Sequence, residues 1–276
     1  MGKLNASLGE YAGMKKTLFD LPVQRQERIL EELQREGRVI ARNLALALEI
    51  SEDTIRRDLK ELADLGHCKR VHGGAVRVSA SIGTFEKRRG EDSTAKTLVG
   101  RTAAKLFESK QTLFIDVSTT NLEVARALDP GLNLTVITNS PVIACELYQR
   151  PGYEVILLGG RVDSHSGGTS GAKTLQEIRS IRADVVLLGA CGLHADYGVT
   201  TFGYEDAEVK KAMVEHSERV IIAAQLSKLN TAATYFVTPL NRVDQLVLEA
   251  KPDADLTKSF ESSGIEIHIA NSRSEA

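Results

Sequence analysis

Along residues 24–36, QRQERILEELQRE, apolar side chains recur at helical spacing. Ile29, Leu30 and Leu33 share one stripe, with charged residues between them. Gly37 follows and predicts the stop of that helix, because glycine takes the left-handed conformation without steric cost. ARNLALALEI (41–50) predicts a second, shorter helix. Ser51 suits the N-cap of a third, and Gly66 its end. On that third helix Ile55, Leu59 and Leu62 fall at i, i+4 and i+7 and form the buried face. Arg57 and Lys60 fall opposite, with Thr54 and Arg56 on the flanks. HCKRVHGGAVRV (67–78) then holds short extended runs around Gly73-Gly74, which predicts a two-stranded turn.

The pattern changes beyond residue 80. From about 110, short apolar runs alternate with segments of helical period: TLFIDV (112–117), LTVIT (134–138), YEVILLGG (153–160), ADVVLLGA (183–190), RVIIAA (219–224), QLVLEA (245–250) and IEIHIA (265–270). These runs are nearly continuous in apolar residues. Continuous runs suit strands of a parallel sheet covered on both faces, so the second part reads as α/β. The boundaries expected are a helical module at 21–77, a linker and hinge at 78–98, and an α/β domain at 99–276.

Composition narrows the options. The chain has 276 residues, enough for two domains, with 42% hydrophobic and 26% charged positions. Its net charge of -2 excludes a globally basic nucleic-acid binder. Any DNA site must be a local patch. Cys68, Cys145 and Cys191 are far apart and show no metal-ligand spacing, so they read as reduced thiols of a cytoplasmic protein. No apolar run approaches the roughly 20 residues of a membrane span. Residues 1–20 read as a loose leader without the apolar core of a signal peptide, and Met14 is an alternative start. GAKTLQEIRSIR (171–182) lacks the spacing of a P-loop. His165 and His194 read as solvated loop residues; no metal and no cofactor are expected.

Three helices followed by a basic turn describe a winged helix-turn-helix. In that fold the third helix enters the major groove and its first residues reach base edges. The DNA-contact candidates are Ser51, Thr54, Arg56, Arg57 and Lys60 on the helix, with Lys69, Arg70 and His72 on the wing. Arginine suits the task because its fork bonds a phosphate or a guanine edge bidentately. Charge alone does not decide it. Between 51 and 72, five Lys/Arg face five Asp/Glu. RQERIL, SEDTIRRDLKELADLG and KRVHGGAV, in that order, closely resemble the DNA-binding module of the DeoR family of bacterial regulators, over about residues 24–77. One departure is Cys68, where an aliphatic residue is usual; it is expected to be buried structure.

In the second domain, FIDVSTTNLEVARAL (114–128) places a hydroxyl turn, Ser118-Thr119-Thr120, between a strand ending at Asp116 and a helix. Free N–H groups and the helix dipole there favour an anion. TNSPVIACEL (138–147) repeats the arrangement with Asn139. LLGGRVD (157–163) adds Gly159, Gly160 and Arg161. All three loops follow strand C-termini, where open α/β sheets bind ligands. SHSGGTSG (164–171) reads as a loop able to close over something. Together with LLGACGL, EDAEVKKAM and AAQLSKL, these loops resemble the DeoR effector domain, similar in fold to ribose-5-phosphate isomerase. That resemblance implies a phosphorylated sugar effector. It assigns the phosphate to Ser118, Thr119, Thr120 and Lys228; Asp116, Glu205 and Lys210 complete the candidate effector contacts. Cys191 and Gln225 stand where the family usually has aspartates, so proton-transfer chemistry is disfavoured.

The function expected is thus a DNA-binding regulator, by family habit a repressor of a sugar or carbohydrate catabolic operon. It would bind operator DNA as a homodimer or homotetramer and be released by a phosphorylated sugar. The alternatives are a sugar-phosphate isomerase-like enzyme with an appended DNA-binding head, or a scaffold with no effector.

Overall fold

A computed structural model describes residues 21–71, 73–77 and 83–270. The expected leader at 1–20 lies outside them. The chain divides into two units, Met1–Val78 and Ser79–Ala276.

In the first unit, α1 (Pro22–Glu36), β1 (Arg38–Ile40), α2 (Ala41–Leu48) and α3 (Glu52–Asp64) precede the strands β2 (Cys68–Val71) and β3 (Gly74–Arg77). Pro22 opens α1, where its missing N–H costs nothing, and Gly37 closes it at φ 70°. Ile29, Leu33, Leu44, Ile55, Leu59 and Leu62 form one core, as the helical stripes require. Cys68 joins it and donates its thiol to the Leu59 carbonyl at 3.6 Å. Burial pushes that thiol up to about 11, against the opposing influence of Arg70. The wing has three strands, not two: the sheet runs β1-β3-β2, with Val39 opposite Ala75. Glycine is required at Gly74, because a side chain there would collide with the Val39 carbonyl.

The second unit begins with helices. α4 (Phe85–Gly90) and α5 (Ser93–Ala104) occupy most of the expected linker at 78–98. Phe85 and Val99 are buried in the same core as the sheet, so these residues belong to the domain; residues 78–82 lie outside the described ones. The apolar side chains fixed the outcome, because an amphipathic segment with Phe85, Val99 and Ala103 has a face to bury.

All seven apolar runs form strands: β4 (Thr112–Ile115), β5 (Leu134–Thr138), β6 (Tyr153–Leu157), β9 (Ala183–Leu188), β12 (Ser217–Ala223), β14 (Gln245–Leu248) and β15 (Glu266–Ile269). They make one parallel sheet in the order β15-β14-β12-β9-β4-β5-β6. Alternate residues serve opposite faces. Val186 and Leu188 of β9 meet one core with α8 (Ala172–Arg179) and α9 (Tyr204–Glu215), whereas Val185 and Leu187 meet the other with α5 and α6 (Thr119–Ala127). Strands run outward in sequence from β4 to one edge, then from β9 to the other. The order reverses between β4 and β9, and the crevice outside their C-terminal ends is the switch point.

Shorter elements border that crevice. They are α7 (Pro141–Leu147), β7 (Arg161–Val162) with β8 (Thr169–Ser170), and a small antiparallel sheet of β10 (Gly192–His194), β11 (Gly198–Thr201) and β13 (Tyr235–Thr238); α10 (Ala254–Glu261) packs near the sheet's far end. The loop 164–171 is held rather than open. Asp163 Oδ1 accepts from the N–H groups of His165 and Ser166, at 3.0 and 2.6 Å, and Thr169 and Ser170 are buried.

Candidate functional site

In the first unit the candidates gather on α3 and the wing. Ser51 caps α3, accepting from the Thr54 N–H at 3.1 Å, and its hydroxyl also meets the Thr54 hydroxyl at 2.8 Å. Glu52 and Asp53 occupy the first turn, where the dipole favours them. Arg56 is exposed but tethered: its Nη2 lies 2.7 Å from Glu52. Arg57 and Lys60 are exposed and have no partner among the described residues. Arg56 and Arg70 face each other across a cleft floored by Leu59, Val71, Gly73 and Gly74. Lys69 is half-buried, and that burial lowers its ammonium pKa. His72 lies outside the described residues.

The acids do not offset these cations as a simple count suggests. Asp58 is buried and forms an ion pair and a second hydrogen bond with Arg25 of α1. Its charge is turned into the unit and ties α1 to α3. Glu61 accepts from Gln26 at 2.7 Å. The solvent face of α3 is therefore more positive than the sequence balance.

In the second unit the switch point is built around a buried charge cluster. Asp116, fully buried at the end of β4, pairs with Lys210 of α9. Lys210 also lies 3.2 Å from Asp206, which accepts from the Thr201 hydroxyl at 2.5 Å. The Gly189 N–H donates to Asp116 Oδ2 at 2.8 Å. Asp116 Oδ1 and Asn121 Oδ1 are buried without a partner among the described residues. Burial pushes the Asp116 carboxyl up to about 6, against the pull of Lys210. The Lys210 ammonium is held above its usual range by the two carboxylates, which outweigh its own burial. Lys210 was expected as an effector contact. It fixes Asp116 and Asp206 and also walls the smaller of the two cavities beside them.

Two cavities open beside this cluster. The smaller is walled by Ser118, Gly189, Ala190 and Cys191, with Arg88 and Lys210. Of the hydroxyl turn only Ser118 reaches it; Thr119 and Thr120 are buried. Ser118 caps α6, accepting from the N–H groups of Thr120 and Asn121. Lys228, in a single helical turn at Leu226–Lys228, lies near Arg88, Lys96 and Cys191. Its pKa is lowered by burial, with Arg88 and Lys96 adding to the effect and Cys191 opposing it. Arg88 walls this cavity, Lys228 lies near it, and Lys96 is buried behind; two of the three have backbone tethers: Lys96 donates to the Arg88 and Glu91 carbonyls, and Arg88 Nε to Gly83 O at 3.0 Å. Arg88 and Lys96 fall in the expected linker; the cationic run EKRRG (86–90) signals Arg88, and Lys96 lies outside it.

The larger cavity, about 420 Å3, is lined by Asn139, Asp163, Thr169, Ser170, Tyr204 and Glu205, among others. His165, Ser166, Phe202 and Asp206 wall both cavities. Asn139 is buried and braces the crevice, accepting from the Val117 N–H at 2.8 Å. Arg161 is exposed and pairs with Glu205 at 2.5 Å. Gly159 and Gly160 reach neither cavity, and the Gly159 N–H donates to Glu177 at 2.7 Å. The Gly159 N–H, a candidate phosphate donor, is thus occupied by an internal carboxylate. His194, expected in solvent, is buried in β10 against Tyr197, with its ring centroid 4.8 Å away. Gln225 donates to Asp92 at 3.2 Å and so ties the end of β12 to the start of α5.

A winged helix-turn-helix unit followed by an α/β unit with a ligand-sized crevice at its switch point defines a DNA-binding regulator that carries its own sensor. Residues 25–81 match the DeoR-like helix-turn-helix domain, and residues 91–250 match the DeoR C terminal sensor domain. The chain is 32% identical over 247 residues to the glycerol-3-phosphate regulon repressor of Escherichia coli strain K12, covering 89% of this chain and 98% of that one. It is 30% identical over 251 residues to the HTH-type transcriptional regulator GolR of Listeria innocua serovar 6a, covering 90% and 99%. Among solved structures, ribose 5-phosphate isomerase A from Methanocaldococcus jannaschii is a distant likeness: 13% identity and a TM-score of 0.36, over 50% of this chain and 55% of that one. The chain belongs to the DeoR family of transcriptional regulators. No helix among the described residues is long and apolar enough to cross a membrane.

Proposed function

We propose that this regulator represses a sugar or carbohydrate catabolic operon and leaves its operator when a phosphorylated sugar binds the second unit. The observation that carries the effector reading is a cavity walled by Arg88 and Ser118, with Lys228 close to Arg88. Arg88, Lys228, a helix N-terminus and the Gly189–Cys191 loop supply what an anionic phosphate needs. The relatives' names, which include a glycerol-3-phosphate regulon repressor, support the same class.

On the DNA side, Arg57 and Lys60 face solvent uncompensated, and Arg56 and Arg70 flank the cleft beside the wing. These residues, with Thr54, Ser51 and Lys69, are the proposed contacts. The protein acts in the cytoplasm as a homodimer or homotetramer, because paired half-sites call for two-fold symmetry. Effector binding releases DNA only if it favours the arrangement with poor DNA affinity.

The isomerase-like alternative asks for a base at the cavity. Asp116 is sealed behind Gly189, where a Cβ would come within 2.8 Å of its Oδ2, and Asp206 is held by Lys210 and Thr201. That arrangement suits a fixed recognition site better than proton abstraction.

The test is operator binding followed by fluorescence anisotropy while phosphorylated sugars are titrated. Wild type should release DNA with at least one of them. Lys228→Ala should bind DNA normally and fail to release it. Release of DNA by the variant at the wild-type effector concentration would place the phosphate elsewhere.

A further inference from the structure

The two cavities differ in chemistry, and the difference reaches beyond the phosphate. The smaller has Arg88 and Lys210 in its wall, with Lys228 near Arg88, and shares Asp206 with the larger. In the larger wall the charged side chains are the carboxylates of Asp163, Glu205 and Asp206, with His165 as the one titratable nitrogen. Arg161 stands at its rim, already paired with Glu205.

The hydrogen-bond inventory of that wall is one-sided. Most of its hydroxyl donors are directed inward: Ser166 to Asp163, Ser170 to Glu205 at 2.8 Å, and Thr169 to the Leu158 and Asn139 carbonyls at 2.9 and 3.3 Å; the Tyr204 side chain is exposed. The Asn139 amide donates toward the Thr169 carbonyl at 3.5 Å. Acceptors are left over. Asp163 uses Oδ1 on two backbone N–H groups and also accepts from the Ser166 side chain, which leaves it part of a carboxylate's acceptor capacity. A carboxylate has about four acceptor positions, so Glu205 and Asp206 also keep capacity beyond their present bonds. Phe202 and Tyr204 add apolar faces against which a sugar ring can lie.

We propose that the larger cavity is a donor-reading subsite: it takes the hydroxyl- or ammonium-bearing end of a singly phosphorylated sugar and rejects a second phosphate, with Glu205 and Asp163 setting the choice. This rests on the sensor reading above, because the phosphate in the smaller cavity fixes which end of the effector enters the larger. A second phosphate there would meet carboxylates and find few free donors. Like-charge contact combined with unpaired acceptors is the usual means by which a site rejects a competitor. Hydroxyls and an ammonium share the donor chemistry, and the choice of probes separates them.

The full chain is titrated calorimetrically with glucose 6-phosphate, glucosamine 6-phosphate, fructose 6-phosphate, fructose 1,6-bisphosphate and inorganic phosphate. The best monophosphate should bind at least tenfold more tightly than the bisphosphate. A glucosamine 6-phosphate preference identifies an ammonium reader, and a preference for the other two a hydroxyl reader. Glu205→Gln should shrink the mono-to-bisphosphate ratio severalfold by strengthening bisphosphate binding, since it removes one charge and frees Arg161. Asp163→Asn, which keeps the turn-capping oxygen, should act in the same direction and guards against a folding failure of the first variant. A bisphosphate that binds wild type as tightly as the best monophosphate overturns this subsite and leaves the phosphate sensor standing. Binding by none of the five overturns the sensor reading and this inference together.

Discussion

Arg57 and Lys210 carry the same charge in two units of one chain, and their surroundings give them opposite work. Arg57 is exposed on α3 without a partner among the described residues, so its field projects outward. Lys210 is buried between Asp116 and Asp206, so most of its field is spent on those two carboxylates. Asp58 of the first unit behaves like Lys210: buried against Arg25, it is architectural although it sits in the middle of the proposed DNA-reading helix. Burial, not residue type or motif membership, separates the charges that hold the fold from those available to a ligand.

The sharpest break of that contrast is Lys210→Met. Removing one partner of a buried ion pair leaves the carboxylates uncompensated, which costs about 3–5 kcal/mol. The variant should lose that much in a urea melt. Asp116→Asn combined with Lys210→Met should recover a large part of it, because the stranded charge is gone. A single variant as stable as wild type would show that Lys210 is not structural.

The next effect belongs to the first unit and is a matter of pH. The Cys68 thiol is held up to about 11 by burial, from an ordinary 9.0. Below pH 9 the thiol is neutral folded or unfolded. Between 9 and 11 the unfolded chain releases its proton and the folded unit keeps it, so stability falls as pH rises through that window. The loss is about 2–3 kcal/mol for two units of difference. Denaturant melts at pH 8 and pH 11 should show that extra loss in wild type and not in Cys68→Val.

The same contrast explains what was legible beforehand. Each of the seven continuous apolar runs became a strand, because burial on both faces of a parallel sheet is written locally in the run itself. The small sheet of β10, β11 and β13 escaped notice. Thr200 and Phe236 pair across more than thirty intervening residues, and both strands carry polar side chains that mimic loops. β1 was missed for the same reason: three residues that find their partner only at Gly74–Val76. In the pocket, Ser118 was readable as a helix cap from its neighbours. The role of Lys210 was not, since Asp116 lies 94 positions upstream. Arg88 lies in a cationic run and Lys96 stands alone in STAKT, and neither context tells a tethered side chain from a solvated one.

Arg57→Ala tests the outward half of the comparison. One bidentate base or phosphate contact is worth about 1–3 kcal/mol, so operator affinity should fall roughly five- to 150-fold. Stability should stay within about 0.5 kcal/mol, as for other exposed substitutions. Unchanged operator affinity in an anisotropy titration would remove Arg57 from the proposed interface.

The smallest effect concerns Arg56, which stands between the two extremes. It is exposed, yet Glu52 one turn earlier holds its guanidinium through two hydrogen bonds, at 3.1 and 2.7 Å. Both side chains are well exposed, so the pair itself contributes only a few tenths of a kcal/mol to the helix, and salt weakens it further. Its consequence is for DNA: a tethered Arg56 must exchange Glu52 for phosphate when the helix docks. Glu52→Gln removes that competition and one repelling charge. Affinity for a random-sequence duplex should rise about two- to threefold. The slope of log affinity against log salt should steepen by at most ~0.9, the contribution of one added phosphate contact. Operator affinity should rise by a similar or smaller factor, so the ratio of specific to non-specific binding should fall. Glu52 then acts as a restraint on indiscriminate binding, a task that neither the buried Asp58 nor the buried Asp116 can perform. If random-sequence affinity and its salt slope both stay unchanged, Arg56 is not restrained by Glu52 and belongs with Arg57 among the free cations.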